Sequence, residues 1–329
     1  MPRILLVKTS SLGDVIHNLP VVNDILAHLP DAQIDWIVEE SFAAIPCMHA
    51  RVSYVFHVAF RRWRKQLFSQ TTWADILAIK EIIKHNQYDV IIDTQGLLKS
   101  ALITKLANGT KHGYDKQSIR EPIASYFYDK TYTISYQQHA VTRNRALVAM
   151  SLGYAVPTSA PDYGITAKNG MAIGIDTSSL TDIASQGSYI VALHGTSRDS
   201  KLWPVEHWVE LGKQLALQNL NMLLPWSSEA EHTRANIIQQ QVSSAIILPK
   251  LSIAELADVI SHAKAAVGVD TGLSHLAAAL KIPTIAIYTD TNPVLTGVLG
   301  GAFKPAINLG GIAQTPTVEN ILSALKSII

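Results

Sequence analysis

Short runs of aliphatic and β-branched residues alternate along the whole chain with stretches whose apolar positions recur every three or four residues. In the first half, residues 3–8, 33–38, 54–58 and 88–93 read as strands. Between them Leu19, Val22, Leu26 and Leu29 keep one apolar helical face, and so do Ile76, Ile79 and Ile83. In the second half, residues 189–194, 221–226, 245–248, 265–269 and 284–288 read as strands. Pro204 suits the first turn of a helix carrying Trp208, Leu211 and Leu215. Ser252-Ile253-Ala254-Glu255 is a capping box, and residues 317–329 read as a last helix. Alternation of this kind is the mark of parallel sheets covered by crossover helices, so the fold class is α/β.

A chain of 329 residues is long enough for two such domains. Residues 153–170, with Pro157, Thr158, Ser159 and Pro161, have the composition of a linker, which divides the chain into domains 1–160 and 161–329. With 48% hydrophobic and 16% charged residues the chain can bury a large core, which excludes disorder. Twenty-seven Lys+Arg against 26 Asp+Glu argue against a dedicated nucleic-acid binder. The balance is uneven along the chain: residues 1–165 hold 17 cations and 14 carboxylates, net +3, and residues 166–329 hold 10 and 12, net −2. A lone Cys47 excludes a disulfide framework and a Cys-rich zinc site. The apolar run Ile4-Leu5-Leu6-Val7 is far too short for an export signal, and no stretch of roughly 20 apolar residues reads as a membrane span. The expected compartment is the cytosol.

Five segments carry candidate chemistry. Thr9-Ser10-Ser11-Leu12-Gly13-Asp14 follows a strand, and it matches neither a P-loop nor the dinucleotide fingerprint. Asp14 there either meets a ligand hydroxyl or caps the following helix. Thr196-Ser197-Arg198-Asp199-Ser200-Lys201 concentrates hydroxyls and cations after a buried strand, which suits a phosphate or an ordinary solvated loop. Asp270-Thr271-Gly272 turns into an Ala-rich helix whose first N–H groups can hold an anion. Asp270 itself would repel a bare phosphate, so it suits a sugar hydroxyl, or it caps the helix. His275, with no partner at metal spacing, reads as packing rather than as a ligand. Glu229 and Glu231 follow another strand, placed for ribose hydroxyls or for the helix dipole. Arg61-Arg62-Trp63-Arg64-Lys65, with Lys99, Arg120 and Arg143, makes the first half basic, as a polyanionic acceptor or an anionic lipid surface would require, or as a solvated face.

Taken together, residues 8–20, 93–101, 194–204, 225–231 and 269–280 resemble the lipopolysaccharide heptosyltransferases, inverting glycosyltransferases of the GT-B fold. The likeness runs through both halves. It implies two Rossmann-like domains facing a central cleft, the first binding acceptor and the second ADP-heptose, with the last helix packing back on the first. The implied reaction moves L-glycero-D-manno-heptose from ADP-heptose to the first Kdo of Kdo2-lipid A, at the cytoplasmic face of the inner membrane, with no cofactor and no metal. Carried over by position, Asp14 looks like the general base. Lys201, Thr196 and Ser197 look like the diphosphate contacts, Asp270 meets heptose with Thr271, Gly272 and His275 beside it, Glu231 meets ribose, and Leu251 lies by adenine. Arg61, Arg62, Arg64, Lys65, Lys99, Arg120 and Arg143 fall to the acceptor. Ser227 stands where the family often has glycine, and residues 289–293 are looser than its usual turn. Transfer to an already heptosylated core, and a non-catalytic nucleotide-sugar binder, are the competing expectations.

Overall fold

The computed structural model describes residues 1–167, 188–301 and 305–329, and the chain divides into two compact units, Met1–Gly164 and Ile165–Ile329. The first is built on β1 (Arg3–Val7), β2 (Gln33–Glu39), β3 (Val52–Val58), β4 (Gln87–Asp93), β5 (Asn108–Tyr114) and β6 (Lys130–Tyr132), all parallel, in the order β3-β2-β1-β4-β5-β6. The second is built on β7 (Tyr189–Leu193), β8 (Asn221–Leu224), β9 (Ala245–Ile247), β10 (Ala265–Val269), β11 (Thr284–Tyr288) and β12 (Ala306–Gly310), also parallel, in the order β12-β11-β10-β7-β8-β9. Counted from its own first strand, each sheet has the doubly wound order 3-2-1-4-5-6.

The central strands are apolar because both faces are covered. Ile4, Leu5, Leu6 and Val7 have no exposed surface, nor do Ile190, Val191 and Ala192. Helix Val205–Ala216 buries Trp208, Leu211 and Leu215, the stripe read from the sequence, with Pro204 at its N-cap. Ser252 and Glu255 bond each other's backbone N–H groups as the capping box requires. Gly268 in β10 lets helix Gly272–Ala279 approach the sheet, since a Cβ there would stand 2.3 Å from Ser274 Oγ.

All nine strands expected from the sequence form, with ends displaced by at most two residues. β5, β6 and β12 were not expected: β5 reads Asn-Gly-Thr-Lys-His-Gly-Tyr, and β6 and β12 are partly exposed edges, so none carries the apolar run of a central strand. The first helical stripe is rotated; helix Pro20–His28 buries Val21, Val22 and Ile25 and leaves Leu26 half-buried. The expected linker is tied to the first unit at several points along its largely exposed course. After Gly153 ends helix Ala140–Leu152 in a left-handed cap, Tyr154 stacks on His28 at 4.1 Å and Arg145 donates to the Ser159 carbonyl at 2.6 Å. Residues 168–170 of that segment lie outside the described residues. The last helix, Val318–Ile328, was expected on the first domain. Its apolar face, Val318, Ile321, Ala324 and Leu325, is part of the core of the second unit with Trp203 and Trp208.

Ile321→Ala should therefore cost about 2–5 kcal/mol, and hydrogen exchange should show lost protection in β10 and β11. Loss confined to β1 and β4 would contradict this placement.

Candidate functional site

In sheets of this order, ligands bind beyond the carboxyl ends of the strands where the order reverses. That point lies between β1 and β4 in the first unit and between β7 and β10 in the second.

Beyond β1, Lys8 is buried and its ammonium donates to the Thr94 carbonyl at 2.8 Å. Burial pushes its pKa down, opposed by the nearby Asp14 and Asp93 carboxylates. The Gln95 amide oxygen accepts from the backbone N–H groups of Thr9 at 3.0 Å and Ser10 at 2.9 Å, which fixes the loop. Asp93 is fully buried and accepts from Gln95 N, Gly96 N and Tyr128 OH; burial raises its pKa against those bonds. Asp14 sits in the first turn of helix Leu12–His17, half-buried, so part of the capping reading holds. Its Oδ2 accepts from Ser11 N at 2.8 Å and Ser11 Oγ at 2.9 Å, and its Oδ1 takes no hydrogen bond from the described residues.

The cations of this unit divide. Buried Glu39 holds the start of helix Phe60–Lys65, accepting from the N–H groups of Phe60 and Arg61. Arg61 lies over the Phe42 ring, and Arg64 and Lys65 are exposed. Arg62 is forked onto Glu40 at 3.1 and 3.2 Å and also bonds Asp75 at 2.7 Å. Lys99 donates to Ser10 Oγ at 2.9 Å, over the Phe60 ring; burial lowers its pKa, with Glu39 opposing. Arg143 lies between the rings of Tyr136 and Tyr114, 4.0 and 4.8 Å from their centres. Arg120 is exposed.

Beyond β7 and β10, Lys201 meets Asp270 Oδ2 at 2.7 Å, each side chain mostly buried. Thr291 Oγ1 donates to the same oxygen at 2.6 Å, and Thr196 Oγ1 donates to the Asp270 carbonyl at 2.9 Å. The loop after β11 is tied to the Lys201 turn: Thr289 Oγ1 donates to the Ser200 carbonyl, and Ser200 Oγ donates to Asp290. Ser197 is exposed; Thr271 and Gly272 open helix Gly272–Ala279, on which His275 is buried. Glu231 is in the first turn of helix Glu229–Gln239 and caps it through Ser227 and Ser228. Its Oε1 lies against Gly195, where a Cβ would stand 2.5 Å away, so it also borders the end of β7. The Ser227 hydroxyl donates to Glu231 at 2.8 Å, a bond that glycine at this position lacks. Leu251, half-buried, precedes the cap of helix Ile253–Ser261, on a segment tied back by the Trp226 indole N–H to the Leu248 carbonyl.

Each switch point thus gathers hydroxyls, cations and a carboxylate. A family model described as glycosyltransferase family 9 (heptosyltransferase) matches residues 76–320. Lipopolysaccharide heptosyltransferase 1 of Escherichia coli K12 is 47% identical over 98% of this chain and 99% of its own length. The chain belongs to this family of glycosyltransferases. Its fold class matches the solved structure of E. coli heptosyltransferase WaaC with ADP, at TM-score 0.88 and 43% identity over 99% of each chain. The same enzyme with ADP-2-deoxy-2-fluoro heptose matches at TM-score 0.85 and 41% identity, again over 99% of each. These are two parallel-sheet α/β domains of the GT-B class, as the sequence led us to expect.

Several residues of this family member escaped the reading of its sequence. Lys8 and Gln95 hold the Asp14 loop, and the signal for Lys8 was a cation placed directly after a wholly apolar strand. The sequence marked residues 289–293 only as a loose turn, and gave no sign that Thr289 and Thr291 brace the Lys201 turn and Asp270.

His194, fully buried directly after β7, has its pKa pushed down to about 4 by burial, with Glu231 opposing. Between the ordinary imidazole value near 6.5 and about 4, the unfolded chain binds a proton that the folded chain excludes. Stability is then complete above pH 6.5 and is lost as the pH falls towards 4. We expect the loss to reach about 3 kcal/mol. Urea midpoints at pH 7 and pH 4.5 should show a larger acid loss in wild type than in His194→Gln; equal losses would refute the assignment.

Proposed function

We propose that this heptosyltransferase moves L-glycero-D-manno-heptose from ADP-heptose to the first Kdo of Kdo2-lipid A, with inversion at the anomeric carbon. The observation that carries this reading is the near full-length 47% identity to a lipopolysaccharide heptosyltransferase 1. It is supported by the WaaC complexes with ADP and with a fluorinated ADP-heptose. The reaction calls for no cofactor beyond the donor, because the diphosphate is itself a good leaving group.

In this reading Asp14 Oδ1 accepts the proton of the attacking Kdo hydroxyl while Oδ2 stays fixed by Ser11. The new C–O bond forms opposite the departing ADP, as water attacks in an inverting glycosidase. Lys201 stabilises the charge growing on the diphosphate, with Thr196, Ser197 and the first N–H groups of the helix opened by Thr271 and Gly272. Asp270 then exchanges part of its bond to Lys201 for heptose hydroxyls, His275 lying in the same helix. Glu231 meets ribose and Leu251 packs by adenine. Arg61, Arg64, Lys65, Lys99, Arg120 and Arg143 receive the anionic acceptor; Arg62, held by Glu40 and Asp75, contributes through its neighbours. The enzyme works peripherally, at the anionic cytoplasmic face of the inner membrane.

Asp14→Asn should lower kcat on the order of 10²–10⁴-fold while ADP affinity stays level. Turnover near that of wild type would remove Asp14 from the base role. For Lys201→Ala, weaker ADP-heptose binding and a lower kcat are both expected, since its charge meets the diphosphate before and during bond breaking. Calorimetry giving equal donor affinity would contradict that. Mass spectrometry of product from Kdo2-lipid A and from its heptosylated form, offered side by side, decides the acceptor.

A further inference from the structure

Beside the cationic helix Phe60–Lys65 lies a run of large apolar side chains turned to solvent. Phe68 is fully exposed, and Leu67, Trp73 and Leu77 are exposed by 51, 54 and 54%. Single exposed hydrophobics need no explanation, but these adjoin. The Trp73 indole N–H donates to the Leu67 carbonyl at 2.9 Å, and Trp73 and Leu77 stand one turn apart on helix Gln70–His85. The adjoining face of that helix, about 100° round, packs on the core through buried Ile83 and half-buried Ile76 and Ile79, so the apolar surface runs from the core out to solvent. Lys80 and Lys84 continue the row from Trp73 and Leu77 at helical spacing.

We infer that Leu67, Phe68, Trp73 and Leu77 form a wedge that enters the headgroup and acyl boundary of an anionic bilayer, with the surrounding cations on the lipid phosphates. This rests on the proposed use of a lipid acceptor. Charge complementarity selects the bilayer over other occupants: residues 60–85 carry six Lys and Arg, five of them besides the Arg62 held by Glu40 and Asp75, against two carboxylates, Asp75 and Glu81. Of those two, Asp75 is already bound to Arg62, and Glu81 faces His85 at 3.8 Å. Large aromatic and aliphatic side chains rimmed by Lys and Arg are the composition of segments that lie in the membrane interface. The cations draw the surface to anionic lipid, and the wedge holds it there by burying apolar area.

The test is sedimentation of the full chain with vesicles of phosphatidylcholine alone and of phosphatidylcholine with phosphatidylglycerol. Wild type should partition onto the anionic vesicles and weakly onto the neutral ones. Leu67→Ser/Phe68→Ser, at exposed positions, should bind about 30-fold or more weakly. Lys80→Gln/Lys84→Gln should bind several-fold more weakly at low salt and like wild type at high salt. Wild type failing to bind, or the serine variant binding equally, overturns the inference. So does a wild-type dimer that the serine variant abolishes, since the patch then meets a second copy. Transfer to a deacylated, water-soluble acceptor should be unchanged in the serine variant. Transfer without vesicle binding sinks the wedge alone. Vesicle binding without transfer to any acceptor sinks the proposed reaction and leaves the wedge standing.

Discussion

A parallel sheet covered on both faces has no place for a polar side chain except beyond its strand ends. β1 and β7 carry four or five residues without exposed polar groups, and the first polar residues after them, Lys8 and His194, are themselves buried. A buried charge is tolerated only where bonds replace its hydration. Lys8 is accordingly tied to the Thr94 carbonyl and Asp93 to three donors. His194 answers the same constraint in the opposite way, by remaining uncharged. The strand order then decides where such groups meet, because only at its reversal do two neighbouring connections leave in opposite directions.

Two sheets of identical order put that reversal to different use. In the first unit one amide, Gln95, fixes two successive N–H groups of the Asp14 loop, and the carboxylate keeps one oxygen for other partners. In the second unit the loops after β7, β10 and β11 are joined to one another through Thr196, Ser200, Asp270, Thr289 and Thr291. The Lys201 ammonium is thereby held before a ligand arrives. Groups oriented in advance need little reorganisation when charge develops beside them, which is where such arrangements gain in catalysis.

The central strands were legible because burial on both faces demands uninterrupted apolar runs, as in Ile4–Val7 and Ile190–Leu193. β5 was not, since its first four residues, Asn108 to Lys111, are exposed or half-buried, and the three buried ones, His112, Gly113 and Tyr114, make no aliphatic run. Local chemistry was legible where it is local: Ser252 with Glu255, and Asp14 with Ser11, are bonded within four residues. What joins distant segments left no trace in spacing. The Lys201–Asp270 pair spans 69 residues and the Gln95–Ser10 bond 85. The final helix was legible from its own periodicity, and the apolar side chains of Val318–Ile328 complete the core of the second unit.

Counting cations overstates the field of the basic helix. Four stand within five residues, yet they do different things once folded. Arg62 meets two carboxylates with three short bonds, so its charge is largely cancelled at a distance. Arg61 rests on Phe42, which leaves its charge open, and Arg64 and Lys65 project freely. Glu39, buried beneath the first turn, favours the helix start through its dipole and also offsets part of the neighbouring positive charge. Lys99 is half withdrawn from water over Phe60, where a weakened hydration shell makes an incoming anion a stronger competitor for its ammonium. For the acceptor we propose, the attraction would come from few groups, and the less hydrated ones among them would contribute most per charge.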